Sequence, residues 1–438
     1  MDLSGKKIAI YGLGVSGHAV LAFLEDKALG ELIIVNRGDI ASWHLPKLET
    51  SYEIRCYVED ECESALASCD LIILSPGIAR EVSALAGALK SNVPVWNEIE
   101  LAYHYFKAPI VAVTGTNGKT TTVSFLSELF KSAGYKVFTG GNIGTPFVCA
   151  LGEESLKDGS YDLAILELSS FQCESLESFR AKDNIILNIS PNHMERYDDV
   201  EDYRVAKWKM VRQCLAEDKV FIGEGVGKPP FEVDCDVDIL EAQWDDEFKE
   251  LFPWTKMSVI GAHNRYNLFF AWKVAKRWQI SPEVFSRALL AFSGVAHRLE
   301  RLVGSKSIFN DAKSTNWLAT QTALHAVLEY KMPGDSLALI VGGQMRDEED
   351  YPDAETLESM KKSCQVIVAI GQAAEKLQAY DEAIIAKVDL ECAVRYLQTN
   401  AKECVILFSP AYPSFDQYKN YVERGNHFKK IIGVYNDH

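Results

Sequence analysis

One octapeptide constrains this chain more than any other feature. Thr114-Gly115-Thr116-Asn117-Gly118-Lys119-Thr120-Thr121 follows a short apolar run, Ile110–Val113, and opens a helical pattern from Thr121 to Ala133. A strand that feeds a glycine-rich loop and then a helix turns several backbone N–H groups toward an anion, and the helix N-terminus adds partial positive charge. Lys119 then reaches the β- and γ-phosphates of a nucleotide, and the Thr120 hydroxyl is a ligand for Mg²⁺. Counted from Gly115, the loop is shorter than the common GxxxxGK[ST] form. The competing reading, a glycine turn that only caps a helix, leaves the lysine and threonine unexplained.

The loop belongs to a chain of 438 residues, enough for about three domains of ordinary size. Hydrophobic residues make up 47% and charged residues 24%, which excludes a disordered or collagen-like chain. The net charge of −17 argues against a general binder of nucleic acid or anionic membranes, which attract basic surfaces. It does not exclude small anionic substrates, which need only a locally positive pocket. No uninterrupted apolar run approaches 18 residues, and the five-residue run Ile8–Gly12 is too short for a signal peptide. The ten cysteines contain no CxxC pair and read as free thiols of a reducing compartment. The expectation is a cytoplasmic monomer.

The pattern along the chain is α/β three times over. Residues 1–97 alternate the apolar runs Lys7–Tyr11, Leu32–Val35, Leu71–Leu74 and Val93–Trp96 with helical stretches at 15–24 and 81–89, as in a small Rossmann-like unit. Residues 98–296 form a phosphate-loop α/β domain with strands at Ile110–Val113, Leu163–Leu166, Ile185–Ile189 and Val220–Ile222. Helices are expected there at 264–278 and 282–292, and the stretch 223–253 reads as irregular. Residues 297–438 form another Rossmann-like α/β domain with strands at Ser307–Phe309, Leu337–Val341, Val366–Ile370 and Val405–Phe408.

Several further positions carry chemistry. Gly12-Leu13-Gly14-Val15-Ser16-Gly17 follows the first strand and fits GxGxxG. The second strand ends Val35-Asn36-Arg37, without the carboxylate that holds a ribose diol in dinucleotide sites, so the loop suits another diphosphate ligand or a structural turn. Glu167 ends the strand Leu163–Leu166, where an open α/β sheet faces its ligand crevice; it suits a hard cation or is a plain surface carboxylate. His193 lies just past another strand end. Lys207 lies on a helix, where a lysine is ordinarily a solvated charge. Asn264 and Asn267, spaced i and i+3, could read an adenine edge or cap a helix. Asp311, Lys313 and Thr315 follow a strand and offer acceptor, cation and donor to a zwitterionic or phosphorylated ligand.

Taken together, these segments resemble the Mur ligases, the ATP-dependent amide-forming enzymes of peptidoglycan precursor synthesis. The resemblance runs nearly end to end. It rests on Thr114–Thr121, Gly141-Asn142-Ile143-Gly144, Glu167-Leu168-Ser169-Ser170, Asn192-His193-Met194-Glu195-Arg196, Tyr203–Lys207, Gly261–Asn267, His297-Arg298, Asn310–Asn316 and Ser409–Gly425. The last stretch, SPAYPSFDQYKNYVERG, favours the branch that joins D-glutamate to UDP-N-acetylmuramoyl-L-alanine.

The resemblance implies three domains, for UDP-sugar, ATP and amino acid, and an acyl-phosphate route to the amide. It implies ATP contacts at Gly115, Thr116, Asn117, Gly118, Lys119, Thr120, Thr121, Asn264, Asn267, Arg298 and Asp311. The UDP-substrate would meet Gly14, Val15, Ser16, Gly17, Asn36, Arg37, Ser75, Asn142 and His193, and D-glutamate would meet Lys313, Thr315, Arg346, Ser414 and Tyr421. Two Mg²⁺ sites would draw on Thr120, Glu167, His193 and a Lys207 carbamylated by CO₂, with Lys119, Lys207, His193 and Glu167 as the catalytic set. Asn192 stands where the wider family often has Asp. Other classes remain open: a folylpolyglutamate synthase, against which the N-terminal GxGxxG domain argues, a regulatory or transport ATPase, and a dehydrogenase built on the N-terminal motif.

Overall fold

The computed structural model describes residues 1–47, 49–152, 161–194, 196–241, 248, 259–302, 307–345 and 350–433. They group into two compact units, one spanning Met1–Lys249 and Phe269–Phe285, the other Glu250–Leu268 and Ser286–His438. Among the described residues no helix is long and apolar enough to cross a membrane.

The first unit holds two parallel sheets. Strands β1 (Lys7–Tyr11), β2 (Glu31–Asn36), β3 (Glu53–Val58), β4 (Leu71–Leu74) and β5 (Val95–Trp96) form one sheet in the order β3-β2-β1-β4-β5. Its central strands are almost wholly buried, as β-rich apolar runs covered on both faces by helices must be. The second sheet contains β6 (Ile110–Thr114), β7 (Val137–Gly141), β8 (Leu163–Glu167), β9 (Asp183–Ile186), β10 (Lys219–Gly223) and β11 (Asp236–Leu240), in the order β11-β10-β9-β6-β8-β7. All its pairings are parallel, so the C-terminal ends of β6, β7, β8 and β9 share one edge.

A short helix, Glu98–Tyr103, ties the two sheets together. Asn97 caps it by accepting from the Glu100 N–H at 3.0 Å, and Glu100, fully buried, accepts from the backbone N–H groups of Glu177, Ser178 and Phe179 at 2.7–3.1 Å. Three backbone donors on one carboxylate replace the water it lost. Glu98 beside it is less well served. One oxygen accepts from Val148 N at 3.1 Å, the other has no partner among the described residues, and burial pushes its pKa up to about 7.

The second unit holds β12 (Glu300–Leu302), β13 (Ile308–Asn310), β14 (Leu337–Gly342), β15 (Val366–Ile370), β16 (Ile384–Ala386) and β17 (Val405–Phe408), ordered β12-β13-β17-β14-β15-β16. Among the described strands of this sheet, only the edge strand β12 runs antiparallel to its neighbour. Its core joins Phe309, Leu324, Leu339, Val341, Leu377 and Leu407.

The sequence expectation located the central strands and the edge strand β5, and missed the other edges. β3, β7, β11, β12 and β16 went unassigned, and β11 corrects the irregular reading of 223–253 where that stretch is described. The burial patterns give the reason: edge strands are half-solvated and need no apolar run, as in Asp-Val-Asp-Ile-Leu of β11. The expected helix over 81–89 is a 3₁₀ turn, Ser83–Leu85, followed by Ala86–Lys90.

Candidate active site

The phosphate loop leaves β6 at the point where the chain's strand order reverses, with β9 on one side and β8 on the other. Gly115 has φ 144°, and a Cβ there would press on Leu187 at 3.0 Å, so glycine is required by both conformation and space. The helix Lys119–Ser132 begins with no side chain capping it. Its first N–H groups therefore face the loop as an anion site would require.

The loop is clamped from β9. Asn188 accepts from the Asn117 N–H at 2.9 Å through Oδ1 and donates from Nδ2 to the Asn117 carbonyl at 3.1 Å, while its own carbonyl accepts from Thr116 N at 2.9 Å. The Thr116 hydroxyl donates to the Ser190 carbonyl at 3.2 Å and accepts from Ser190 N at 3.0 Å. Lys119 is folded over the loop, Nζ donating to the carbonyls of Gly115 and Thr116 at 2.9 Å each. Asn188 was not singled out from sequence; an asparagine at the end of an otherwise apolar strand was the available signal.

Around this loop the sheet brings together groups far apart in the chain. Thr120 donates its hydroxyl proton to Glu167 Oε2 at 2.9 Å, and Asn142 Nδ2 donates to Glu167 Oε1 at 2.8 Å. Glu167 is 2% exposed. Lys207 is buried behind the loop, its Nζ donating to the Gly115 carbonyl at 3.0 Å and lying 4.5 Å from the Tyr203 ring centroid. Burial pushes the Lys207 pKa down to about 8. Among the described residues, no carboxylate lies within ion-pair distance of this amine. His193 sits beside them in a left-handed conformation, φ 58°, its ring 4.8 Å from Phe171 and 6.5 Å from Tyr203. Glu195 lies outside the described residues.

The first sheet carries a second loop at its own switch point, between β1 and β4. Gly17 approaches so closely that a Cβ would meet the Gly12 carbonyl at 2.0 Å. Ser75, after β4, donates to that same carbonyl at 2.9 Å. Gly14 and Val15 are exposed at the mouth, and no side chain caps the helix Val15–Leu24. Asn36 accepts from Leu13 N at 3.4 Å, and Arg37 projects beside it, paired with Glu59.

In the second unit, Asp311 is 6% exposed and both its oxygens are engaged: Oδ1 by Leu299 N at 3.0 Å, Oδ2 by the hydroxyls of Ser314 and Ser409. Burial pushes its pKa up to about 6, opposed by the hydrogen bonds from Ser314, Ser409 and Leu299 N and, least, by the charge of Arg298. Asn264 donates to the Ile260 carbonyl at 2.8 Å, and Asn267 is buried on the same helix, Ala262–Arg277. Lys313 Nζ lies 5.2 Å from the Tyr421 ring centroid. Thr315 shares the Lys313 loop, and Ser414 is 3% exposed after β17. Arg346 lies outside the described residues. Arg424, not singled out from sequence, is 1% exposed and donates from Nη2 to the carbonyls of Ala312 and Tyr412 at 2.9 Å each. It thereby joins the loop of Lys313 to that of Ser414.

A loop followed by a helix, backed by a buried carboxylate on the adjacent strand and preceded by a glycine-loop α/β sheet, defines a phosphate-loop α/β protein. The family profile of the Mur ligase middle domain matches residues 113–224, and that of the Mur ligase MurD-like N-terminal domain matches residues 6–97. The UDP-N-acetylmuramoylalanine–D-glutamate ligase of Caldanaerobacter subterraneus subsp. tengcongensis is 32% identical over 469 aligned residues, covering 99% of each chain. The ligase of that name from Syntrophus aciditrophicus is 30% identical, again covering 99% of each. The chain belongs to the Mur ligase family. In fold it is similar to the MurF ligase of Thermotoga maritima in complex with ADP (TM-score 0.58, 16% identity, 98% of this chain and 94% of that one). It is likewise similar to the MurC ligase of Thermotoga maritima (TM-score 0.53, 17% identity, covering 98% and 99%).

Proposed function

We propose that this chain is the ATP-dependent ligase that joins D-glutamate to UDP-N-acetylmuramoyl-L-alanine, acting in the cytoplasm as a monomer. The observation that carries the reading is the end-to-end likeness to ligases of that name, covering 99% of the chain. The buried Thr120–Glu167–Asn142 chain at the phosphate loop supports it at the level of chemistry.

A carboxylate is a poor electrophile until it gains a leaving group. In the proposed reaction an alanyl carboxylate oxygen attacks the γ-phosphorus of ATP, ADP leaves, and an acyl phosphate forms. The amine of D-glutamate then attacks the acyl carbon, phosphate departs with the C–O electron pair, the amine proton is lost, and an amide remains. Every reactant is anionic or carries a carboxylate, so the site's task is to offset charge locally within an acidic protein. Lys119 and the N-terminal N–H groups of its helix would hold the phosphates, with Asn264, Asn267, Arg298 and Asp311 serving the rest of ATP. Lys313, Thr315, Arg346, Ser414 and Tyr421 would position D-glutamate. Gly14–Gly17, Asn36, Arg37 and Ser75 would hold the UDP moiety, and Asn142 and His193 the muramoyl-alanine end.

The donor set suits a hard dication: a hydroxyl and a buried carboxylate oxygen 2.9 Å apart, with the carboxylate oriented by an amide. Thr120 and Glu167 would hold one Mg²⁺, and His193 with carbamylated Lys207 a second; bound there, Mg²⁺ neutralises phosphate charge. ADP release against a panel of amino acids and UDP-muramoyl acceptors tests the whole reading. Release is expected only when UDP-N-acetylmuramoyl-L-alanine and D-glutamate are both present. Equal turnover with L-alanine, or with a diamino acid on a longer acceptor, would transfer the chain to a sibling ligase. Steady ATP hydrolysis without an amide product would make it an ATPase.

A further inference from the structure

At the C-terminal edge of the first sheet, one carboxylate joins three strand ends. Glu59 opens the 3₁₀ turn that follows β3. Its Oε1 accepts from the Tyr11 hydroxyl, at the end of β1, at 2.5 Å, and its Oε2 accepts from Arg37 Nε, just past β2, at 2.5 Å. Arg37 Nη2 adds a second bond to Oε1 at 3.3 Å. The Arg37 backbone is fixed as well, because Trp43, 4% exposed, donates from Nε1 to the Arg37 carbonyl at 2.9 Å.

The two partners differ sharply in exposure: the Glu59 side chain is 19% exposed and that of Arg37 is 78%. An exposed ion pair contributes little to stability, so the bond from buried Tyr11 anchors Glu59 while the Arg37 pair is poorly explained as a strut. What it does is hold a long, otherwise free side chain in one orientation. Two of the three guanidinium nitrogens are used on Glu59, and Nη1 has no partner among the described residues. A guanidinium only donates, so a fixed one at this edge selects a ligand that accepts. In dinucleotide sites the second strand ends in a carboxylate that accepts from a ribose diol. Here that end is Asn36-Arg37, Asn36 is turned back to Leu13 N, and the nearby carboxylate is consumed by Arg37.

We propose that Glu59 is a positioning residue of the first domain's ligand site, holding Arg37 so that it donates to the ring carbonyls of a pyrimidine base such as uracil. The inference rests on the reading that this site takes a UDP-sugar. It adds that base recognition depends on a carboxylate that never touches the ligand.

The test is calorimetric titration of UDP into the full-length protein with the ATP site filled by a non-hydrolysable ATP analogue. E59Q is expected to weaken UDP binding roughly tenfold, within the usual coupling between residues in contact. R37K keeps the charge but loses the fork geometry, and should weaken binding as E59Q does. Because Glu59 acts through Arg37, R37A/E59Q should bind within about twofold of R37A alone, a non-additivity typical of coupled residues. In turnover, E59Q should raise KM for the UDP-acceptor and leave kcat and KM for ATP and D-glutamate unchanged. Wild-type affinity in E59Q or R37K, or additive losses in the double variant, overturns the inference. Should the unmutated protein fail to bind UDP, the reading of the site as a UDP-sugar site falls too; unmutated binding with an unaffected E59Q removes this inference alone.

Discussion

Lys207 offers the sharpest test of how tertiary structure alters chemistry here. A lysine amine reacts with CO₂ only as the free base: R–NH₂ + CO₂ gives R–NH–COO⁻ + H⁺. Burial lowers the Lys207 pKa from 10.5 to about 8. At pH 7 that leaves roughly a tenth of the amine neutral, against about 0.03% for an ordinary lysine, on the order of 300-fold more reactive base. Between pH 6.5 and 8.5 the neutral fraction rises about 25-fold, from roughly 3% to roughly 75%. Protein stripped of CO₂ should therefore lose turnover and regain it on adding CO₂, with a reactivation rate that climbs by about that factor over the same pH range when dissolved CO₂ is held at a fixed concentration. A carbamate carbon resonance should appear from ¹³C-labelled bicarbonate in the wild type and be missing in K207M. K207A should be inactive and partly rescued by short-chain carboxylates.

Folding gives an independent control on the same residue. With the folded pKa depressed, the native state holds fewer protons than the unfolded chain between pH 8 and 10.5, so stability rises with pH across that window. Below it the buried ammonium costs roughly 3 kcal/mol, a burden K207M removes. K207M should be inactive at pH 7 yet at least as stable as the wild type. Wild-type turnover in K207M, or reactivation that ignores both CO₂ and pH, would refute the carbamate reasoning.

Three further outcomes follow from the geometry. N188A removes both side-chain bonds that clamp Asn117, each worth about 1 kcal/mol, and should raise KM for ATP roughly tenfold in steady-state assays; an unchanged KM would show that the loop holds itself. Glu98, its pKa raised to about 7, makes the protein lose stability as pH rises from 4.5 to 7, so E98Q should be more stable at pH 8 by up to roughly 3 kcal/mol and flatten the pH dependence of Tm. The same pH dependence in E98Q as in the wild type would count against it. K119M should abolish ATP turnover while leaving UDP binding at the first sheet intact, and measurable ADP release would remove Lys119 from the phosphate site.

The phosphate loop, the first glycine loop and the central strands could be read directly because each is a contiguous piece of chain. A buried parallel strand must be apolar along its length, and a loop that cradles phosphate must place glycines beside its helix. Edge strands such as β3 and β11 escaped notice because half-solvated strands face no such demand. The catalytic candidates Glu167, His193 and Lys207 were placed by family resemblance; their surroundings alone left each open to a bland alternative.

Only the fold could decide what those side chains are. The order β9-β6-β8-β7 sets Asn188, the phosphate loop, Glu167 and Asn142 along one edge, although 25 to 71 residues separate the bonded partners. That order is a property of crossovers and packing, which no local stretch encodes. The same holds for Lys207: its sequence neighbours make it a helical cation like any other, and its depressed pKa comes from loss of water around the amine. The chain alone determined the glycine loops and the buried central strands; desolvation and strand order, both consequences of packing at a distance, determined which side chains meet and how far each is shielded from water.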